Sequence, residues 1–241
     1  MHTETFAIPS KFRGPPNSGN GGYVCGRIAQ HLRGPVSVRL KAPPPLDTAL
    51  RLDTDATSAR LFHGDALIGQ ARAAEVELLA KPATPYAIAE SASAGFMGFK
   101  AHSFPGCFVC GTARASGDGL RIFPGHVADT EVIASPWNPD PSLIGPDGLV
   151  ANEFIWSALD CPSAFAVLPL PSGIAIVLGE LSASIVSNIK ASERCVVTAW
   201  ALGAQGRKRF AGSAVHTERG DLVAVARATW IEVSAEVWGA S

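Results

Sequence analysis

Two stretches, GDALIGQARAAEVEL from Gly64 and GDLVAVARATWIEV from Gly220, carry one pattern: Gly-Asp, an apolar pair, Ala-Arg-Ala, then alternation into a Glu. A Gly-Asp turn followed by period-two alternation is the signature of a β-hairpin entering its second strand. Two copies in a chain of 241 residues predict a duplicated unit of about half the length. Upstream, GPVSVRL at 34–40 lies against GELSASI at 179–185, and LRLDTD at 50–55 against VVTAWALG at 196–203. One helix-like segment stands ahead of each strand set, GGYVCGRIAQHL in the first half and LVANEFIWSALD in the second. In the latter, Val150, Phe154, Ile155, Ala158 and Leu159 recur at near-helical spacing. Each unit therefore reads as one helix followed by antiparallel strands, an α+β arrangement.

The boundaries expected are a first unit over 1–80, a linker over 81–118 and a second unit over 119–241. The linker carries Pro82, Pro85, SASAG and HSFPGCFVCG with no sustained period, and reads as a segment crossing the surface. Loops of that length are seldom idle.

Charge and composition narrow the partners. Twenty Lys plus Arg against 21 Asp plus Glu leave a formal charge of −1, without the positive excess that phosphate-backbone binding requires. Nucleic acid is not an expected partner. The start, MHTETFAIPSKFRG, lacks the basic and apolar runs of a secretory signal. The longest apolar stretch, 164–179, is interrupted by Pro169, Pro171 and Gly173 and is too short to span a bilayer. No membrane association is expected. Five cysteines, an odd number, suit a reducing compartment. A soluble cytoplasmic protein is the expectation.

A helix with a long antiparallel sheet, repeated once, resembles a tandem (double) hotdog protein of the acyl-CoA thioesterase-like superfamily. The motifs that carry the resemblance are Asn20-Gly21-Gly22 at the first helix, PPPLD at 43–47, CFVCG at 107–111 and WSALDCP at 156–162. The resemblance implies two central helices, each wrapped by an antiparallel sheet, the two sheets joining into one layer. In similar single-unit thioesterases the helix begins His-Gly-Gly and presents a carboxylate eight residues after the first Gly, and two units combine to make each site. Here Gly21 and Gly22 match the start, but the eighth position is Ala29. In the second helix Asp160 matches the carboxylate, with no glycine pair ahead of it. The motif is split between the halves, which implies one composite site per chain.

The chemistry of the split is explicit. The first amides of a helix lack intrahelical acceptors and lie at the positive end of its dipole. Glycine lets a thioester carbonyl approach them, at about 1 kcal/mol of helix propensity per residue. An oxyanion donor lowers a barrier by roughly 3–4 kcal/mol. Gly21 and Gly22 would then polarise the carbonyl, and Asp160 would activate water or attack directly. The plain alternative for Ser18 to Gly22 is a flexible turn with Asn20 capping the helix. For Asp160, Pro162 should end or kink the helix, leaving the carboxylate as a cap for the next segment.

Glu153 lies seven residues before Asp160 on the same helical face, where a carboxylate pair would raise one pKa, while Asn152 could hydrogen-bond substrate. Both are candidate substrate-binding residues. Cys107 and Cys110 form one Cys-x-x-Cys with no second Cys pair at zinc-ligand spacing, so no metal is expected. The motif reads as an anchor for the linker, and Cys25 and Cys161 as core. Arg72 and Arg227 read as outward strand residues. No Walker or dinucleotide glycine pattern follows a strand, and no cofactor is expected. The function expected is hydrolysis of an acyl-CoA-like thioester; the alternative is a non-catalytic acyl-ligand binding or scaffold protein. Hotdog hydratases carry an Asp followed five residues later by His, and no Asp here has that partner. A tandem chain mimics a dimer of single units, and a further homodimer would not conflict with it.

Overall fold

The computed structural model describes residues 2–240, and among them eleven strands form one antiparallel sheet. In chain order they are β1 (His2–Phe6), β2 (Val36–Leu40), β3 (Leu50–Thr54), β4 (Ser58–His63), β5 (Ala66–Ala73), β6 (Gly125–His126), β7 (Val132–Trp137), β8 (Ile174–Ile185), β9 (Cys195–Gln205), β10 (Lys208–Thr217) and β11 (Leu222–Ser234). The helices are α1 (Gly21–Ala29), α2 (Tyr86–Ser93) and α3 (Asn152–Phe165). Across the sheet the order is β1-β3-β4-β5-β2-β8-β11-β10-β9-β7-β6.

Both Gly-Asp dipeptides occupy hairpin turns, Gly64 (φ +57°) between β4 and β5 and Gly220 (φ +90°) between β10 and β11. A side chain is strained at positive φ, which accounts for glycine at these two corners. From the centre outward the order is β2, β5, β4, β3, β1 on one side and β8, β11, β10, β9, β7, β6 on the other. The halves meet at β2 and β8, where Val38 faces Leu181 and Arg39 pairs with Glu180 at 2.6 Å. One continuous sheet therefore serves both helices, rather than one sheet for each.

α1 and α3 pack against each other on this sheet. Gly22 lies against Trp156, Ser157 and Asp160, and Gly26 against Glu153 and Trp156, so the helices run antiparallel. A Cβ on Gly22 would stand 2.6 Å from the Trp156 carbonyl oxygen, and one on Gly26 2.5 Å from the Glu153 Cα. The glycines on this face of α1 are what let two backbones approach so closely. From Phe154 to Ser163 every residue of α3 is buried, as in a helix enclosed on all sides rather than on one stripe.

Two expectations are corrected. α3 does not end at Pro162 but runs on to Phe165: proline removes one backbone bond, and packing around the helix outweighs that loss. Asp160 thus lies within a helix and cannot cap the next segment. Nor does 81–118 merely cross the surface. It contains α2, and Cys107 to Cys110 belong to the main core, with Phe108 1% exposed. Phe108 N–H donates to the Arg13 carbonyl, and Ile122 N–H to that of Val109, so buried backbone groups are paired. Among the described residues no helix is long and apolar enough to cross a membrane.

Candidate functional site

Asn20 is the N-cap of α1. It is 2% exposed, and its Oδ1 accepts from the Tyr23 N–H at 2.9 Å. That bond turns the amide Nδ2 toward α3, where it donates to Asp160 Oδ2 at 2.8 Å. The Gly22 N–H donates to the same oxygen at 2.9 Å. Two residues from the start of one central helix thus grip a carboxylate from the other.

Asp160 is 1% exposed, and its Oδ1 has no hydrogen-bond partner among the described residues. Burial pushes this carboxyl up to about 7, against the Gly22 and Asn20 bonds, which favour the charged form, and with help from the Cys107 sulfur. A carboxyl near neutrality in a buried site is suited to exchanging protons.

Asn20, Gly21 and Asp160 line a cavity of about 280 Å³. Its walls are apolar, with Phe104, Phe165, Leu168, Leu170, Leu178 and Trp230, and Pro43 and Pro44 of the PPPLD stretch also face it. The Gly21 amide is the first of α1 and donates to no acceptor among the described residues. It lies at the positive end of the helix dipole, at the polar end of this cavity.

Three thiols share that end. Cys107 and Cys161 have their Sγ atoms 3.5 Å apart, and the three Sγ of Cys107, Cys110 and Cys161 all lie within 4.8 Å of one another. Hydrogen bonds to its sulfur from the thiols of Cys110 and Cys161, and from the Cys110 and Val109 amides, hold Cys107 well below the ordinary thiol value despite its burial. His102 steadies the loop. Its Nδ1 accepts from the Phe104 N–H at 3.0 Å, so Nε2 carries the proton and donates to the Cys110 carbonyl at 2.9 Å.

Of the residues picked from the sequence, Asn20, Gly21, Gly22 and Asp160 converge, though the roles divide. The Gly22 amide is already engaged by Asp160, so it is not open to a substrate oxygen as expected. Asn152 and Glu153 are not at the site. They lie eight and seven residues before Asp160, roughly 10–12 Å along α3. Asn152 is exposed, and Glu153 is half-buried against Gly26, so there is no carboxylate pair. From spacing alone the cysteines read as core or anchor. Their shared position shows in the sequence only as the adjacency of Asp160 and Cys161, which gives no hint that Cys107 and Cys110 come to meet them.

Neither a protein-family model nor a curated protein matches the sequence. Solved structures do match the fold. The tesB protein of Mycobacterium avium subspecies paratuberculosis superposes with a TM-score of 0.60 at 12% identity, covering 96% of this chain and 92% of that one. Acyl-CoA thioesterase II TesB2 of Mycobacterium marinum gives 0.59 at 10% identity, covering 96% and 93%. A conserved protein of unknown function with a hot dog fold from Alicyclobacillus acidocaldarius gives 0.60 at 9% identity, covering 96% and 93%. The chain has the α+β hotdog fold, in double form.

Proposed function

We propose that the protein hydrolyses an acyl-CoA-like thioester at one composite site, with Gly21 contributed by α1 and Asp160 by α3. The observation that carries this reading is the buried Asp160 carboxylate. One of its oxygens is held by Asn20 and Gly22, the other is unpartnered among the described residues, and the residue lines an acyl-sized cavity. The name of the Mycobacterium marinum match, acyl-CoA thioesterase II, agrees with it.

In this mechanism the acyl group lies among the apolar walls and the carbonyl oxygen takes the Gly21 N–H. Asp160 Oδ1 accepts a proton from a water as that water attacks the carbonyl carbon. The tetrahedral oxyanion is held by Gly21 and the helix dipole. Collapse breaks the C–S bond, and Asp160 returns the proton to the leaving sulfur, giving a carboxylic acid and a free thiol. Gly22 and Asn20 act on Asp160 rather than on substrate, fixing its position and leaving one oxygen free. A volume of about 280 Å³, at the small end of ligand sites, favours a short or compact acyl group.

The test is turnover of a panel of short-chain, branched and aromatic acyl-CoAs by the purified protein, with the released thiol measured, alongside Asp160→Asn. Hydrolysis that depends on Asp160 supports the reading. Saturable acyl-CoA binding without turnover would favour the ligand-binding alternative.

A further inference from the structure

Cys107 and Cys110 lie on the loop ahead of β6, and Cys161 on α3, more than fifty residues later. Ligand counting along the sequence stops at the Cys-x-x-Cys pair, and the fold adds the third thiol. We propose that Cys107, Cys110 and Cys161 bind one Zn²⁺ as thiolates at the polar end of the cavity, with a solvent molecule in the fourth position.

The geometry is close to what zinc requires. A Zn–S bond of about 2.3 Å in a tetrahedral site sets sulfurs about 3.8 Å apart. The observed separations, from 3.5 Å to no more than 4.8 Å, need shifts of about 1 Å or less to match. The loop also holds the pair in a tight turn, with the Gly111 N–H closing it onto the Cys107 carbonyl at 2.9 Å. A Cβ on Gly111 would stand 2.3 Å from that carbonyl oxygen, so the tight turn admits only glycine. Asn20 Nδ2, 3.6 Å from Cys161 Sγ and 3.9 Å from Cys107 Sγ, adds a polar donor beside the sulfurs.

Metal choice is set by the donors. Soft thiolates favour Zn²⁺ or Cu⁺ over hard cations. Zinc adapts to three protein ligands plus an open position. Binding exchanges three thiol protons for one ion: Zn²⁺ and three thiols give a zinc tris-thiolate and three protons. The ion would tie the 102–110 loop to α3 and close this end of the cavity. Zinc binding does not depend on the proposed hydrolysis, since a metal-free enzyme and a zinc-bearing binding protein are both coherent results.

The experiment is elemental analysis of the whole protein purified under reducing conditions, followed by Co²⁺ titration of the chelator-stripped protein. The expected result is one zinc per chain. Co²⁺ should saturate at one equivalent with a sulfur-to-cobalt charge-transfer band and the intense d–d bands of a tetrahedral site, both reversed by Zn²⁺. Cys107→Ser and Cys161→Ser should each remove the charge-transfer signature, whereas Cys195→Ser, a buried thiol bonded to the Glu193 carbonyl, should retain it. Because a core Cys→Ser change can impair folding, the wild-type titration decides by itself. Stripped protein with its thiols reduced that takes up neither Co²⁺ nor Zn²⁺ overturns the proposal. So does copper in place of zinc, or a Cys107–Cys161 disulfide in the purified protein.

Discussion

Replacing Gly26 by alanine sets two physical effects against each other with opposite signs. Helix propensity alone makes the variant more stable, by about 1 kcal/mol. Packing does the reverse. The new Cβ would stand 2.5 Å from Glu153 Cα, 3.0 Å from Glu153 Cβ and 3.1 Å from Trp156 Cβ. The closest of these is backbone and cannot rotate away. Since carbon atoms rest at about 3.5–4.0 Å, α1 and α3 must separate by about 1 Å. Over-packing of this kind costs about 1–3 kcal/mol, and the upper end applies here because Tyr23, stacked on Phe12 at 4.2 Å and packed on Phe154, must move with α1. The net expectation is a loss of about 2 kcal/mol, or a Tm lower by roughly 4–8 °C for a chain of this size. Thermal melts together with denaturant midpoints at unchanged slope would measure it. A Gly26→Ala protein as stable as the parent, or more so, would show that the helices are not held at glycine contact and refute the reasoning. The same separation would stretch the 2.9 Å bond from Gly22 to Asp160, so turnover should fall with stability.

Asp160→Asn keeps an oxygen that can accept from Gly22 and Asn20 but cannot take a proton, and should lower thioester turnover a hundredfold or more with the melting curve nearly unchanged. Wild-type turnover in that variant would reduce Asp160 to a cap on α1. Gly21→Pro removes the amide proposed as oxyanion donor and is compatible with the first turn of a helix, but its Cβ would stand 2.8 Å from Leu178 Cβ. Combined with Leu178→Gly, which removes that Cβ, it should cost about a hundredfold in kcat relative to Leu178→Gly alone; equal rates for the two would remove Gly21 from the mechanism. Glu153→Gln, two turns from Asp160, should leave kcat and its pH profile unaltered, and a shifted profile would reinstate a carboxylate pair.

Local signals in the sequence locate the two matching hairpins. Gly64-Asp65 and Gly220-Asp221 mark the same hairpin in each half, because a positive-φ corner and period-two alternation are properties of a few adjacent residues. Asn20 as a helix cap was legible for the same reason, and Asp160 as the carboxylate opposite the glycine start was readable from the split of one motif between two helices. What the glycines do was not. Gly21 and Gly22 look like a paired oxyanion hole in the sequence. In the fold Gly22 gives its amide to Asp160 and its missing side chain to Trp156, Ser157 and Asp160, and only Gly21 keeps an amide without an acceptor among the described residues. The continuation of α3 through Pro162, the distance of Glu153 from the site and the meeting of Cys161 with Cys107 and Cys110 depend on which helix faces lie together. Helix contacts are set by packing between residues more than a hundred positions apart, and local propensity and spacing carry no record of them.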